Sequence, residues 1–203
     1  MRRFVVIGQT ATASPDFVLD DLPGSSGRLD VLLRSVRAAL LVSHGVRRDT
    51  TIYLVLGGGP RAPRTVRISG ATAEYLRQDE RSLAGTLKKM LAYVEDKDAF
   101  DAGTRGISIA RGGLDVAIAD LGAFTPYVLD EGGADVRSVE LDRENPVFFV
   151  GDHMGFAPET RARIDALGST PLSVGPVSVH ADDAIAIVAN ELDRVLDARR
   201  EVR

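Results

Sequence analysis

Short continuous apolar runs alternate along this chain with apolar residues at three- and four-residue steps, so strands and helices are predicted in turn. Phe4 to Ile7 is a continuous apolar run ending at Gly8, the pattern of a central strand covered on both faces. Residues 9–27 are dense in Thr, Ser, Pro, Asp and Gly and predict a loop. From about Arg28 to Ser43, Leu29, Leu32, Leu33, Val36, Leu40 and Leu41 recur at helical spacing, with Arg34 and Arg37 on the opposite side. Thr51 to Leu56 reads as a second strand, stopped by Gly57-Gly58-Gly59-Pro60. Val66 and Ile68 alternate with polar neighbours, which predicts a solvated hairpin or edge strand presenting Arg64 and Arg67. Ser82 is placed to cap a helix running through Val94, with Leu83, Leu87 and Leu91 inward. A short strand over 106–110 follows, then a basic turn, Arg111-Gly112-Gly113, opening a helix at Leu114.

The last third of the chain repeats one unit. Pro126 to Leu129, Val147 to Val150 and Thr170 to Val174 each read as a strand, and each runs into a turn rich in glycine. The turns are Asp130-Glu131-Gly132-Gly133, Gly151-Asp152-His153-Met154-Gly155 and Gly175-Pro176. Pro158 suits the first turn of a helix to about Leu167, with Gly168 as its stop, and Ala181 to about Arg199 is the closing helix. Strands alternating with helices predict an α/β fold with a largely parallel sheet, in one domain spanning 1–203. Open sheets of this kind bind ligands beyond the carboxyl ends of their strands, so the turns after Leu129, Val150 and Val174 should lie side by side around a crevice. The closing helix carries Ala184, Ile185, Ile187, Val188, Leu192, Val195 and Leu196, a face wide enough to predict that part of it is a two-fold dimer contact.

Charge changes the picture more than composition does. The net charge of −4 argues against a nucleic-acid partner, but residues 1–94 hold 14 Lys and Arg against 8 Asp and Glu, while residues 95–203 hold 11 against 21. Between Arg34 and Arg67 lie seven arginines and a single acid, Asp49. Local potential sets a phosphate footprint, so Arg34, Arg37, Arg64, Arg67 and Arg111 are candidate RNA contacts; a solvated face balanced by the acidic half is the plainer reading. With no cysteine, disulfides, thiolate zinc sites and a cysteine nucleophile are excluded, and a cytoplasmic location is expected. No segment approaches the length of a membrane span. The first strand is not followed by the glycine pattern of a dinucleotide fold, and the triple glycine lacks the Lys-Ser/Thr of a P-loop. His44, His153 and His180 match no metal-ligand spacing, so no metal is expected.

The runs GDHMGFAPE at 151–159 and LSVGPVSVHADDAIAIVANELD at 172–193, with GRLDVLLRSV at 27–36 and RGGLD at 111–115, resemble the SPOUT class of RNA methyltransferases. Within that class the chain is similar to the archaeal tRNA pseudouridine-54 N1-methyltransferases, the TrmY family. The resemblance implies a C-terminal trefoil knot, S-adenosylmethionine (SAM) as cofactor, a homodimer and tRNA as partner. It places the cofactor at Leu129, Gly151, Gly155 and the run Leu172, Ser173, Val174, Gly175 and Val177, with His180 where some relatives carry a cysteine. It also sets Arg28-Leu29-Asp30 near the target base. Asp30 would then take the N1 proton of pseudouridine, and Arg28 would hold a phosphate or stabilise charge on the ring carbonyls. An ion pair at the start of a helix explains the same two residues. A ribosomal pseudouridine as target, or an RNA-binding protein of this fold without turnover, are the alternatives.

Overall fold

A computed structural model of the chain describes residues 1–93 and 97–197, with side chains in the last helix to Arg194. Nine strands are described: β1 (Arg2–Thr12), β2 (Leu41–Val42), β3 (Gly45–Val46), β4 (Thr50–Gly58), β5 (Arg64–Ser69), β6 (Ile107–Arg111), β7 (Thr125–Asp135), β8 (Pro146–Gly151) and β9 (Thr170–Ser173). Between them lie α1 (Leu22–Ser25), α2 (Leu29–Leu40), α3 (Glu80–Tyr93), α4 (Leu114–Leu121), α5 (Pro158–Asp165) and α6 (Ala181–Asp197). Seven strands form one sheet in the order β6-β5-β4-β1-β8-β7-β9, and β2 pairs with β3 in a separate hairpin. From β4 to β9 the pairing is parallel, while β5 and β6 add on antiparallel. The expected α/β class with a largely parallel sheet is the fold of the chain.

The continuous apolar runs are explained by cover on both faces. Phe4, Val6, Ile52, Leu54, Phe148 and Val150 point to one side and pack with α2, α3 and α6. Val5, Ile7, Val55, Val147 and Phe149 point to the other, against Ala117 and Leu121 of α4 and Ile164 of α5. Phe4, Phe148 and Tyr127 are register neighbours on β1, β8 and β7, and their rings stack at 5.4 and 5.2 Å. Apart from the area they bury, such pairs contribute about 0.5–1.5 kcal/mol each. They tie the three strands beneath the site.

Three expectations are corrected. The first strand does not end at Gly8: it continues to Thr12, whose amide bonds to Ser26 and whose register partner is Gly58. Glycine makes that possible, because a Cβ at Gly27 or Gly58 would sit 1.9 or 2.0 Å from the Thr10 carbonyl oxygen. Helix α2 stops at Leu40, and the next residues turn into the β2–β3 hairpin. Strand β5 is interior, because β6 covers its outer side in antiparallel register from Arg64↔Arg111 to Ile68↔Ile107. Smaller shifts accompany these. Helix α3 begins at Glu80, with the Asp79 carboxylate accepting the Ser82 amide, so Asp79 and not Ser82 is the cap. Val94 and Arg199, the expected ends of α3 and α6, lie outside the described residues.

Most of the broad apolar face of α6 is spent within the subunit. Ala184, Ile185, Val188 and Leu192 are buried, Ile187 is half-buried, and the side chains of Val195 and Leu196 lie outside the described residues. The helix packs on α2, and Asp193 accepts from both Arg2 and Arg47, pinning it to the foot of β1 and to the residue after β3. Among the described residues, no helix is long and apolar enough to cross a membrane.

Candidate cofactor cleft and its rim

Strands β8, β7 and β9 are neighbours and parallel, so their carboxyl ends open at one end of the sheet. A cleft of about 360 Å³ lies there. Of the residues expected to hold the cofactor, Leu129, Gly151, Gly155, Leu172, Ser173, Val174, Gly175 and Val177 all line it. His180 does not. Its side chain is exposed and its carbonyl accepts the Ala184 amide at the start of α6, while Val179 reaches the wall instead. The pattern of glycines missed Asp130, Glu131, Asp152 and Phe156, which also line the cleft. Acidic residues inside two of the three glycine turns were the available signal.

The turn after β8 is built around Asp152. Its carboxylate accepts the backbone amides of Gln9 and Met154, each at 2.8 Å, and the Gln9 side chain donates to the Gly155 carbonyl at 3.1 Å. The extension of β1 beyond Gly8 therefore braces the floor of the cleft. A Cβ at Gly151 would meet the Gly155 backbone at 2.8 Å, so glycine there is required by the turn folding on itself. At Gly155 and Gly175 a Cβ would meet nothing within 4 Å, and the space beside them is open. On β7, the Asp130 carboxylate pairs with Arg161, which with the Gly132 amide holds it below the usual carboxylate range. Glu131 accepts the Ser178 hydroxyl.

Arg28 and Asp30 do not line this cleft, but they follow Gly27, whose carbonyl accepts from Thr10, the neighbour of the Gln9 that bonds Asp152. Gly27 and Arg28 both have left-handed φ, +62° and +66°, and the Ser26 hydroxyl accepts the Leu29 amide to start α2. That turn directs the Arg28 guanidinium back onto Asp30, where Nε and Nη2 donate to the two carboxylate oxygens at 3.0 and 3.1 Å. Arg34 donates to Asp30 Oδ2 at 3.0 Å one turn further along. The Asp30 side chain is only 3 % exposed, whereas that of Arg28 is 40 % exposed. Burial pushes the Asp30 carboxyl up, but the hydrogen bonds from Arg28 and Arg34 outweigh it and hold it below its usual range. Arg28 is raised chiefly by the Asp30 hydrogen bond, and the Asp152 charge adds to the effect, which ties the pair electrostatically to the cleft turn.

The arginines proposed for RNA fare differently. Arg64 is 3 % exposed and donates to the Leu91 carbonyl, so it cannot present itself to phosphate. Arg67 pairs with Asp120 at 2.9 Å and lies over the Phe100 ring. Arg111 is exposed but pairs with Asp98, and Arg34 is held by Asp30. Arg37 is exposed and, among the described residues, forms no ion pair. Carboxylates engage Arg34, Arg47 and Arg67, and backbone carbonyls accept from Arg48, Arg61 and Arg64, so the fold itself occupies most of the basic stretch. Among the described residues no group of three or more His, Asp or Glu side chains could hold a metal ion.

Residues 1–196 match the family described as "Putative SAM-dependent RNA methyltransferase". The chain belongs to this family. Curated relatives include a tRNA (pseudouridine(54)-N(1))-methyltransferase of Methanosarcina acetivorans, 39 % identical over 203 residues, covering 100 % of this chain and 95 % of the relative. A protein of the same description from Halobacterium salinarum is 40 % identical over 195 residues, covering 95 % and 96 %. The solved structure of Archaeoglobus fulgidus Nep1 bound to S-adenosylhomocysteine superposes with a TM-score of 0.64 at 15 % identity, covering 97 % of this chain and 99 % of that one. At that identity the likeness concerns the fold alone. The methyltransferase is SAM-dependent, and the cleft fits such a cofactor. Apolar walls from Leu129, Phe156, Leu172 and Val174 suit an adenine ring, three carboxylates suit a molecule bearing a sulfonium and an ammonium, and the open space at Gly155 and Gly175 gives room.

Proposed function

We propose that this RNA methyltransferase transfers a methyl group from SAM to N1 of pseudouridine 54 in the T-loop of tRNA, as one domain, in the cytoplasm and as a homodimer. The observation that supports the reading is the Arg28–Asp30 pair on the turn bonded to the strand that braces the cleft, in a chain whose full-length relatives bear that name. The trefoil knot implied by the resemblance belongs to the same proposal.

The turns after β7, β8 and β9 would hold SAM, which would supply a methyl group on a sulfonium that leaves as a neutral thioether. The chain has to orient N1 in line with that methyl group, exclude water and favour loss of the N1 proton. As the N1–C bond forms and the N1–H bond breaks, negative charge spreads onto the ring carbonyls. Arg28 is sufficiently exposed to meet it, and a guanidinium there stabilises the charge where it develops. Asp30 serves chiefly to hold Arg28. A carboxylate already bound by two guanidiniums and held below its usual range is a weak base, and it is covered. Water at the rim then carries the proton away, and Asp30 is a positioning residue. Exposed Met154, Val177 and Val179 beside the cleft support a second subunit closing over it.

Label transfer from methyl-tritiated SAM tests the substrate class. The expected result is incorporation into tRNA that already contains pseudouridine 54 and none into the same transcript carrying uridine. Incorporation confined to ribosomal RNA would replace tRNA as the target, and SAM binding without transfer to any RNA would leave a binding protein.

A further inference from the structure

Far from the cofactor cleft, at the edge of the sheet formed by β5 and β6, a hollow of about 700 Å³ is lined by the 74–77 loop, the start of β6 and one side of α3. Tyr75 stands in it 81 % exposed, in a chain with few aromatic rings. The Arg105 guanidinium lies over the ring at 5.1 Å from its centre, which fixes the ring while leaving it open to solvent. Tyr75 and Arg105 are also the two residues here with left-handed backbone, at φ +57° and +51°, joined by the Glu74 amide donating to the Arg105 carbonyl. Bulky side chains adopt that conformation rarely, and it concentrates at functional positions.

The charges around Tyr75 contrast with those of the basic stretch. Arg77, Lys89 and Arg105 line the hollow against one acid, Glu74, and among the described residues none of the three cations forms an ion pair. Arg34, Arg67 and Arg111, by comparison, are all committed to carboxylates. Unpaired cations around an exposed, pre-oriented ring are the elements of a surface for unstacked bases and their phosphates.

We infer that the Tyr75–Arg105 hollow is an RNA-docking surface in which an unpaired base stacks on Tyr75 while Arg77 and Lys89 contact the flanking phosphates. It rests on the reading of the chain as an RNA methyltransferase and adds a second contact, remote from the methylated nucleotide. A folded RNA is large enough to reach both. Such a contact sets affinity and leaves the chemistry alone.

The test is tRNA binding by fluorescence anisotropy for wild type, Tyr75→Asn, Tyr75→Phe and Lys89→Gln, with SAM affinity measured alongside. Asparagine tolerates left-handed backbone, so Tyr75→Asn removes the ring without a fold penalty. Its tRNA affinity should fall about tenfold or more, the usual effect of losing one stacked base, with Tyr75→Phe near wild type. Lys89→Gln should make the salt dependence shallower by about one charge. SAM affinity and the single-turnover rate at saturating RNA should be unchanged in all three. Unaltered tRNA affinity in Tyr75→Asn with an unaltered salt slope in Lys89→Gln overturns the inference, even where methylation proceeds. Weakened RNA binding without any methylated pseudouridine in wild type keeps the surface and discards the proposed reaction. A Tyr75→Asn protein that changes oligomeric state while binding RNA normally would make the hollow a contact between copies of this chain, and overturns it too.

Discussion

At the scale of the residue, the account turns on whether Asp30 acts through Arg28 or beside it. Asp30→Asn and Arg28→Ala should each slow methyl transfer on the order of a hundredfold or more, the range seen when a positioned charge or proton acceptor is lost. If Asp30 only positions Arg28, the double variant is no slower than Arg28→Ala; an independent proton acceptor would make the two losses multiply. Single-turnover rates at saturating RNA and SAM decide between these. The same pair bears on stability. Asp30 is covered, but both guanidiniums reach solvent, so Asp30→Asn should cost about 1–3 kcal/mol, less than breaking a fully buried pair. Because the folded carboxyl lies below its unfolded value, this contribution is complete above the ordinary carboxylate pKa of about 4 and is lost as pH falls through the lower folded value. Urea midpoints should therefore show wild type and Asp30→Asn converging below about pH 4 and separated at pH 7. The Arg28-Leu29-Asp30 motif was legible in the sequence. The bond from Arg34 was hidden by a different assignment, because a residue four positions away was read as facing RNA when it faces Asp30.

At the scale of the element, the glycine turns and their strands were readable because continuous apolar runs report burial on both faces, and glycines report where those runs stop. Gly151 lines the cleft, and glycine is needed there for a further reason: a Cβ would meet the Gly155 backbone at 2.8 Å. Gly151→Val should thus unfold the turn, lowering stability by about 1–3 kcal/mol and abolishing SAM binding together. Calorimetry and thermal melting check this: SAM affinity retained in a folded Gly151→Val protein would remove the turn from the site. Strand β5 shows the limit of the pattern. Its alternation of apolar and polar residues was real, but Arg64 and Arg67 sit on faces covered by α3 and by Phe100 with Asp120, not by water. Partners distant in sequence decide whether a polar position is exposed. The strand over 9–12 was invisible for a related reason, since its pairing depends on glycines at 27 and 58.

At the scale of the whole molecule, the division into a basic first half and an acidic second half does not map onto an RNA face and a cofactor face. Many of the charges neutralise one another across the fold, as Arg2 and Arg47 do with Asp193. On the α6 stripe expected to supply part of a dimer contact, Ala184, Ile185, Val188 and Leu192 are core and Ile187 is half-buried, and the exposed Met154, Val177 and Val179 beside the cleft are further apolar surface for the proposed interface. Sedimentation at micromolar concentration should give a dimer, and Met154→Asp with Val177→Asp should shift it toward monomer; a wild-type monomer would contradict the proposed assembly. The central claim is that the atom methylated is N1 of a pre-formed pseudouridine. The most direct measurement is mass spectrometry of nucleosides from tRNA incubated with the protein and SAM, with the methylated position resolved by chromatography against standards. N1-methylpseudouridine should form, dependent on prior pseudouridine and about a hundredfold or more slower in Arg28→Ala. A methyl group found on N3, on the ribose 2′-oxygen or on an unmodified uridine would contradict it.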